Sequence, residues 1–332
     1  MIRILIALIA CLSILALTGC NLIAAKQPTP FPTLDSLASP TALFALPPTT
    51  TPDPFATVIV SLPTVDTAQP ASFAPTPTVG GILPGTPSGP YAVIGVVAGD
   101  ALNIRSGPGI NYPVVGTFPP TTTNIMRTGT SSSVGGVLWV EVQNPGGGNG
   151  WVHSGYLTEY VTPTTFCADP RVTGLISSFG EALKTSNGTQ LAALISPASG
   201  WSVKLWRNGN TVVFHRSDAP WVFASTYQHH WGAAPGSGQD TVGAIHTVVL
   251  PKLLDVFNAP APGYSMACDS VQAGGASYDT SWPATYANLN FYSLYKPGPA
   301  GNELSWRTLL IGIEYVQAQP YIFSTTQLDW EP

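Results

Sequence analysis

The densest set of potentially reactive side chains lies in TYQHHWGAAPGSG, residues 226–238. It places the adjacent pair His229 and His230 beside Trp231 and a glycine-rich run. These residue types occur in metal sites, in phosphate-binding loops and in the Ser–His–Asp sites of hydrolases. The spacing of the side chains and the sequence around them decide among the three.

A zinc or iron site needs three or four ligands at about 2.0–2.3 Å from one ion. If residues 222–230 form a strand, His229 and His230 point to opposite faces and cannot bind the same ion. The chain has no His-Glu-x-x-His motif and no closely spaced pair of cysteines. We therefore predict neither a metal nor a cofactor.

The glycine run from Gly232 to Gly238 lacks the Gly-Lys-Ser/Thr ending of a phosphate-binding loop, and the nearby Asp240 would repel phosphate. Ser237, one of the histidines and an aspartate contain the groups of a hydrolase, but Gly-Ser-Gly is more typical of a turn. We interpret the stretch as the end of a strand that runs into a glycine loop.

His230 and Trp231 are then candidates for the rim of a ligand pocket. Because only one of two adjacent strand residues faces a given side, His229 and His230 are expected to respond differently to mutation.

The first twenty residues predict export. The apolar run from Ile4 to Leu17 is short for a membrane-spanning helix, which needs about twenty residues, and is typical of a secretory signal. Residues 17–20, Leu-Thr-Gly-Cys, resemble the lipobox of bacterial lipoproteins. The resemblance implies a signal peptide over residues 1–19, lipidation of Cys20 and a lipid-anchored protein at the extracytoplasmic face of a cell membrane. An ordinary signal peptide or an uncleaved anchor is the alternative.

Composition defines the next segment and excludes one class of partner. Residues 20–90 are rich in proline, threonine, serine and alanine and carry almost no charge, so we predict a disordered tether. Charged residues make up only 9% of the chain, the net charge is -5 and the basic residues do not cluster. Nucleic acid is therefore excluded as a partner.

Two cysteines, Cys167 and Cys268, remain beyond the predicted signal and lipid site. Disulfides persist in exported proteins, so we predict a bond between them, with two buried free thiols as the alternative.

Residues 91–163 predict a small all-β barrel, because five or six short strand patterns are separated by Gly, Pro, Asn or Ser. The segment resembles a bacterial SH3 domain in LNIRSGPG at 102–109, LWVEV at 138–142, GWV at 150–152 and YL at 156–157. The resemblance implies a binding module without catalytic groups, directed at cell-wall peptidoglycan or at a protein. Four aromatic residues are candidates for ligand contact, with core packing as the alternative: Tyr112, Trp139, Trp151 and Tyr156.

Residues 164–332 predict an α+β domain with an antiparallel curved sheet. A helical period runs from Val172 to Leu183, a second follows Pro251, and the chain ends in strand patterns. The domain is similar, more diffusely, to uncharacterised bacterial envelope domains with an NTF2-like cone shape. The features that carry this similarity are the segment LAALISP, Trp231-Gly232 with Gly236-Ser237-Gly238, and the SWRTLL to LDW ending.

The sequence as a whole favours a lipid-anchored cell-surface binding protein rather than an enzyme. Its predicted partners are peptidoglycan or an envelope protein, and the membrane through the lipid. A cell-envelope hydrolase and a structural envelope component without a ligand are the alternatives.

Overall fold

The computed structural model describes residues 89–260 and 263–331. The predicted signal peptide, the predicted lipid site at Cys20 and nearly all of the predicted tether lie outside the described residues. None of the helices in the described ranges is long and apolar enough to span a membrane.

Residues 91–159 form a small β domain. Its strands, in chain order, are β1 (Tyr91–Val93), β2 (Leu102–Arg105), β3 (Val114–Phe118), β4 (Arg127–Val134), β5 (Val137–Gln143), β6 (Asn149–His153) and β7 (Leu157–Glu159). Five of them form an antiparallel sheet in the order β3-β2-β6-β5-β4, and β1 pairs with β7. An SH3-like β domain is therefore confirmed.

The alternation of residues in this sheet separates a core from an outer face. Ile104, Val140 and Val152 are fully buried in the core of the small β domain. Because consecutive strand residues point to opposite sides, Trp139 on β5 and its cross-strand partner His153 on β6 lie on the other face. That face holds the candidate site.

The C-terminal domain begins at Pro163. Its helices are α1 (Pro163–Ala168), α2 (Pro170–Lys184), α3 (Gly188–Leu194), α4 (Ile245–Val248) and α5 (Leu250–Phe257). Its strands are β8 (Trp201–Lys204), β9 (Thr211–Phe214), β10 (His229–Ala233), β11 (Asp240–Gly243), β12 (Ser265–Cys268), β13 (Phe291–Lys296), β14 (Arg307–Val316) and β15 (Gln319–Asp329). The domain is rich in strands and has few helices, so the α+β description holds only in part.

Six of these strands form one sheet in the order β12-β13-β14-β15-β8-β9. All neighbours pair antiparallel except β15 and β8, which run parallel with Ser324 opposite Ser202. The predicted antiparallel sheet is therefore present except for this one parallel pair. The physical reason is that β8 enters the sheet after α3 rather than through a hairpin with β15, so no tight turn imposes the antiparallel direction.

The helices cover one face of this sheet and close the main core. The buried face of α2 carries Ile176 and Phe179, and Phe179 packs edge-on against Trp201 of β8 with ring centroids 5.5 Å apart. Cys167 of α1 is bonded to Cys268 at the end of β12, with their Cα atoms 5.7 Å apart. The predicted disulfide is thus present.

The residues around the histidine pair differ from the predicted strand. A 3-10 turn covers Ala219–Trp221, and regular pairing begins only at His229 in β10. Pro220 occupies this turn and has no N–H to donate to a strand ladder. Residues 222–228 therefore form no strand, and the predicted strand is reduced to β10, which runs into the glycine-containing turn at residues 234–239 and pairs with β11.

Several bonds fix the small β domain to the C-terminal domain. The side-chain amide of Asn288 donates to the carbonyl oxygens of Val93 (2.8 Å) and Pro120 (3.0 Å). The carboxylate of Glu159 accepts from the backbone N–H groups of Gln317 and Ala318 at 2.7 and 2.9 Å. The described parts of both domains belong to one compact unit.

Candidate ligand-binding cleft

A cleft of about 420 Å³ opens on the outer face of the small β domain. Its walls come from the loop after β1, from β2, from the loop before β3, and from β5 and β6 with the turn that follows. The lining residues are Gly95, Val96, Val97, Asp100, Ala101, Leu102, Asn103, Arg105, Ile110, Trp139, His153 and Tyr156. The cleft thus combines an aromatic side with apolar and polar rims.

Three neighbouring rings form the aromatic side of the cleft. Trp139 is only 4% exposed, so it presents little more than an edge. The centroid of the His153 ring lies 5.9 Å from that of Trp139 and 5.2 Å from that of Tyr156. Tyr156 is 41% exposed and is the ring most accessible to a ligand.

The orientation of His153 is fixed by its own backbone neighbourhood. Its Nδ1 accepts the N–H of Gly155 at 3.0 Å and so caps the 3-10 turn Ser154–Tyr156, which carries the Tyr156 ring. Burial lowers the pKa of the His153 imidazole. The neutral form with the proton on Nε2 is therefore the form that fits this bond, because a protonated Nδ1 cannot accept.

The loop after β1 forms the opposite wall and is tied to the C-terminal domain. Gly95 has a φ of 73°, a left-handed conformation that favours glycine, and its N–H donates to the carbonyl of Thr285 at 2.7 Å. The Asp100 side chain accepts the N–H of Ala101 at 2.8 Å, which places a carboxylate at the rim. Val97 adds an exposed apolar side chain.

Arg105 organises the loop that closes the third side. Its Nη1 donates to the carbonyl oxygens of Ile110 (3.0 Å) and Tyr112 (2.8 Å). These bonds hold the loop between β2 and β3, so Ile110 stands at the cleft with three quarters of its surface exposed. Nη1 of the guanidinium is thereby engaged with its own chain.

The four aromatic candidates of the small β domain separate into two pairs. Trp139 and Tyr156 line the cleft, whereas Tyr112 and Trp151 are not among its lining residues. The Tyr112 ring covers Gly107, where an added Cβ would lie 2.4 Å from the ring. Trp151 is half-buried beside Arg105 and Glu141 on the neighbouring strands.

The other two candidates lie in the β10–β11 hairpin. Trp231 is fully buried in the main core, and its indole Nε1–H donates to the carbonyl of Gly243 at 2.9 Å. Trp231 therefore packs the interior and does not form the rim of a pocket. The exposed His230 places its Nδ1 2.7 Å from Oδ2 of Asp240, whereas the His229 ring lies against Phe214, Tyr227 and Trp231.

One cluster of potential metal ligands occurs in the described ranges: Cys167, Cys268 and Asp269. Both cysteines are consumed by the disulfide, so their sulfurs are not available as thiolates. Burial raises the pKa of the Asp269 carboxyl to about 6. With both sulfurs bonded to each other, Asp269 is the one remaining ligand group of this cluster, fewer than the three or four that a metal site needs.

Sequence reasoning missed His153, Asn103 and Asp100, although each lies in the cleft. A signal for His153 was present in GWVHSGYL. The period of two puts His153 on the same face as Trp151, and a side-chain acceptor followed by Ser-Gly is typical of a cap.

Comparison with known families identifies one segment of the chain. Residues 100–158 match the model of the bacterial SH3 domain. The match covers less than a fifth of the chain but includes β2 to β6 and most of the cleft. No curated protein and no solved structure is significantly similar to the chain.

Proposed function

We propose that the chain is a lipid-anchored binding protein of the bacterial cell envelope whose small β domain binds peptidoglycan in the cleft. The observation that carries this proposal is that most of the cleft lies within the segment that matches the bacterial SH3 domain. Bacterial SH3 domains bind peptidoglycan or proteins, and an aromatic wall with polar groups at the rim is the usual form of a small-ligand site.

The proposal is tested by sedimenting the purified protein with insoluble peptidoglycan. We expect the protein to be retained and Tyr156→Ala to weaken retention at least about fivefold, because truncation of an exposed aromatic side chain removes contact area in the cleft. Tyr227→Ala is the matched control, since Tyr227 is 69% exposed and lies in the C-terminal domain. Absence of retention, or equal losses for the two variants, would contradict the proposal.

The anchoring part of the proposal is supported by the lipobox-like residues 17–20. The disulfide adds support, because such bonds persist in oxidising compartments outside the cytoplasm. The test is Cys20→Ala, which should move the protein from the membrane fraction to the soluble fraction. Unchanged fractionation would rule out the lipid anchor.

A further inference from the structure

We propose that the cleft recognises an amide carbonyl oxygen of a peptide through two neighbouring neutral donors, the indole Nε1–H of Trp139 and the imidazole Nε2–H of His153. The inference rests on the proposed function and deepens it by naming the chemistry of the ligand. It also assigns different tasks to the residues of the aromatic wall.

The indole N–H of Trp139 differs from those of three other buried tryptophans in having no hydrogen-bond partner in the described residues. Trp201, Trp231 and Trp306 each donate their indole N–H to a protein oxygen, at 2.9, 2.9 and 3.0 Å. Within the described part of the chain, Trp139 makes no such bond, and its nitrogen is not among the fully buried polar atoms that lack a partner. The nitrogen therefore keeps access to solvent, and the cleft is the space that Trp139 lines.

The second donor lies directly across the strand pair. His153 faces Trp139 in the register of β5 and β6. The N–H of Gly155 occupies Nδ1 of His153, so the neutral ring carries its proton on Nε2. No acceptor for that proton exists among the residues the structure describes, and burial lowers the pKa of the ring and keeps it neutral near pH 7. An oxygen of a ligand would satisfy both donors.

The surroundings favour a neutral acceptor over an anion. Both donors are uncharged, and the lining carries one cation, Arg105, and one anion, Asp100. A carboxylate ligand would be attracted by the first and repelled by the second, so these two charges give it no advantage over a neutral acceptor. A carbonyl oxygen meets two neutral donors without the cost of removing a charge from water.

The geometry of the rings favours a peptide over a glycan. Sugars stack on an exposed aromatic face, but Trp139 is only 4% exposed. Its indole N–H, which has no partner in the described residues, suits hydrogen bonding to a carbonyl. Tyr156, Val97 and Ile110 then provide the apolar contacts for the flanking side chains of the peptide.

The experiment titrates the ¹⁵N-labelled protein with two soluble probes prepared from purified peptidoglycan: released stem peptides and peptide-free glycan strands. The readout is the indole N–H resonance of Trp139, identified by its loss in Trp139→Phe. We expect stem peptides to shift this resonance downfield, as a new hydrogen bond would, and glycan strands to leave it unchanged. This measurement on the unaltered protein does not depend on the folding of any variant.

Two variants test the donors separately. Trp139→Phe removes the indole N–H and keeps a ring, and His153→Asp removes the donor but keeps an oxygen that can cap Gly155. Each should weaken peptide binding about 3- to 10-fold, the effect of one neutral hydrogen bond. Trp151→Phe is the matched control, because Trp151 lies on the same sheet face but outside the cleft lining. The affinity of this variant for the peptide should stay within about twofold of that of the original protein.

The possible results separate this inference from the proposed function. Suppose that the protein is retained on peptidoglycan and that Tyr156→Ala weakens this retention. The donor assignment would then be overturned if glycan strands alone shifted the Trp139 resonance, or if Trp139→Phe kept the full affinity for the peptide. The proposed function would still stand. Failure of the protein to bind peptidoglycan at all would overturn both.

Discussion

Glu314 carries a carboxyl group that is enclosed in the core, and its surroundings favour the protonated, uncharged form. Glu314 is 2% exposed, and its Oε2 accepts a hydrogen bond from the hydroxyl of Ser196 at 2.5 Å. Burial raises the pKa of Glu314 to about 7, and the nearby Glu159 acts in the same direction. The group is thus protonated below neutral pH in the folded protein, while an unfolded glutamate ionises near its ordinary value of about 4.3.

The pKa of Glu314 sets a pH dependence of stability. Between about pH 4.5 and 7 the folded state binds more protons at this position than the unfolded state, so the free energy of unfolding falls as the pH rises through that window. Glu314→Gln keeps the shape and cannot ionise. We expect the variant to match the original protein at pH 4 and to exceed it by about 3 kcal/mol at pH 8.

Urea unfolding at the two pH values measures this difference. Glu181→Gln, at an exposed position on α2, provides the control and should leave the pH dependence unchanged. A variant at Glu314 that is less stable than the original protein at pH 8 would show that the ionised carboxylate is well accommodated.

At the scale of elements, sequence patterns predicted what depends on local periodicity. The helical spacing from Val172 to Leu183 corresponds to α2, and the terminal strand patterns correspond to β13, β14 and β15. The parallel pairing of β8 with β15 was not predictable, because it joins segments more than a hundred residues apart and no local signal specifies it. Contacts of this kind depend on how whole layers pack.

In the candidate site too, some features were predictable from local patterns and others depend on tertiary packing. The strand patterns and the family resemblance placed Trp139 and Tyr156 among the ligand candidates, and both line the cleft. Trp231 has an equally suitable residue type but lies in the core, because the hairpin folds back and its indole reaches Gly243. Exposure of an aromatic ring depends on tertiary packing, which residue type alone does not reveal.

The disulfide connects two elements that are far apart in the sequence, α1 and the end of β12. It closes a loop between residues 101 positions apart, and on the chain-entropy model it stabilises the fold by up to about 4–5 kcal/mol. We expect a reductant to lower the midpoint of thermal unfolding. The double variant Cys167→Ser/Cys268→Ser should have the lowered midpoint without reductant and should not respond to it. Equal midpoints for the original protein with and without reductant, once reduction is verified by thiol titration, would contradict this role.

At the scale of the whole molecule, the junction between the two domains also shapes the cleft. A buried cluster at the junction consists of Ile94, Leu289 and Phe323. Ile94 directly precedes the loop that supplies Gly95, Val96 and Val97 to the cleft. The bond from Gly95 to Thr285 adds a polar contact there. The C-terminal domain thus holds one wall of the cleft in place.

The junction predicts cooperative unfolding of the described part of the chain. Both domains share a buried cluster, and the amide of Asn288 bonds to three carbonyls of the small β domain, so neither should unfold alone. Calorimetry should therefore show one transition. Asn288→Ala leaves those carbonyls without their side-chain donor, which should lower the free energy of unfolding by about 1–3 kcal/mol. The transition should broaden or split. Binding to peptidoglycan should weaken, because the loop after β1 loosens.

Asn208→Ala provides the control for this variant, because Asn208 is exposed between β8 and β9, away from the junction. It should preserve the single transition and the affinity. Two separate transitions in the original protein would show that the domains are thermodynamically independent. In that case the wall formed by Gly95, Val96 and Val97 would keep its shape from contacts within the small β domain alone, such as the bond from the N–H of Ile94 to the carbonyl of Tyr156 at 3.0 Å.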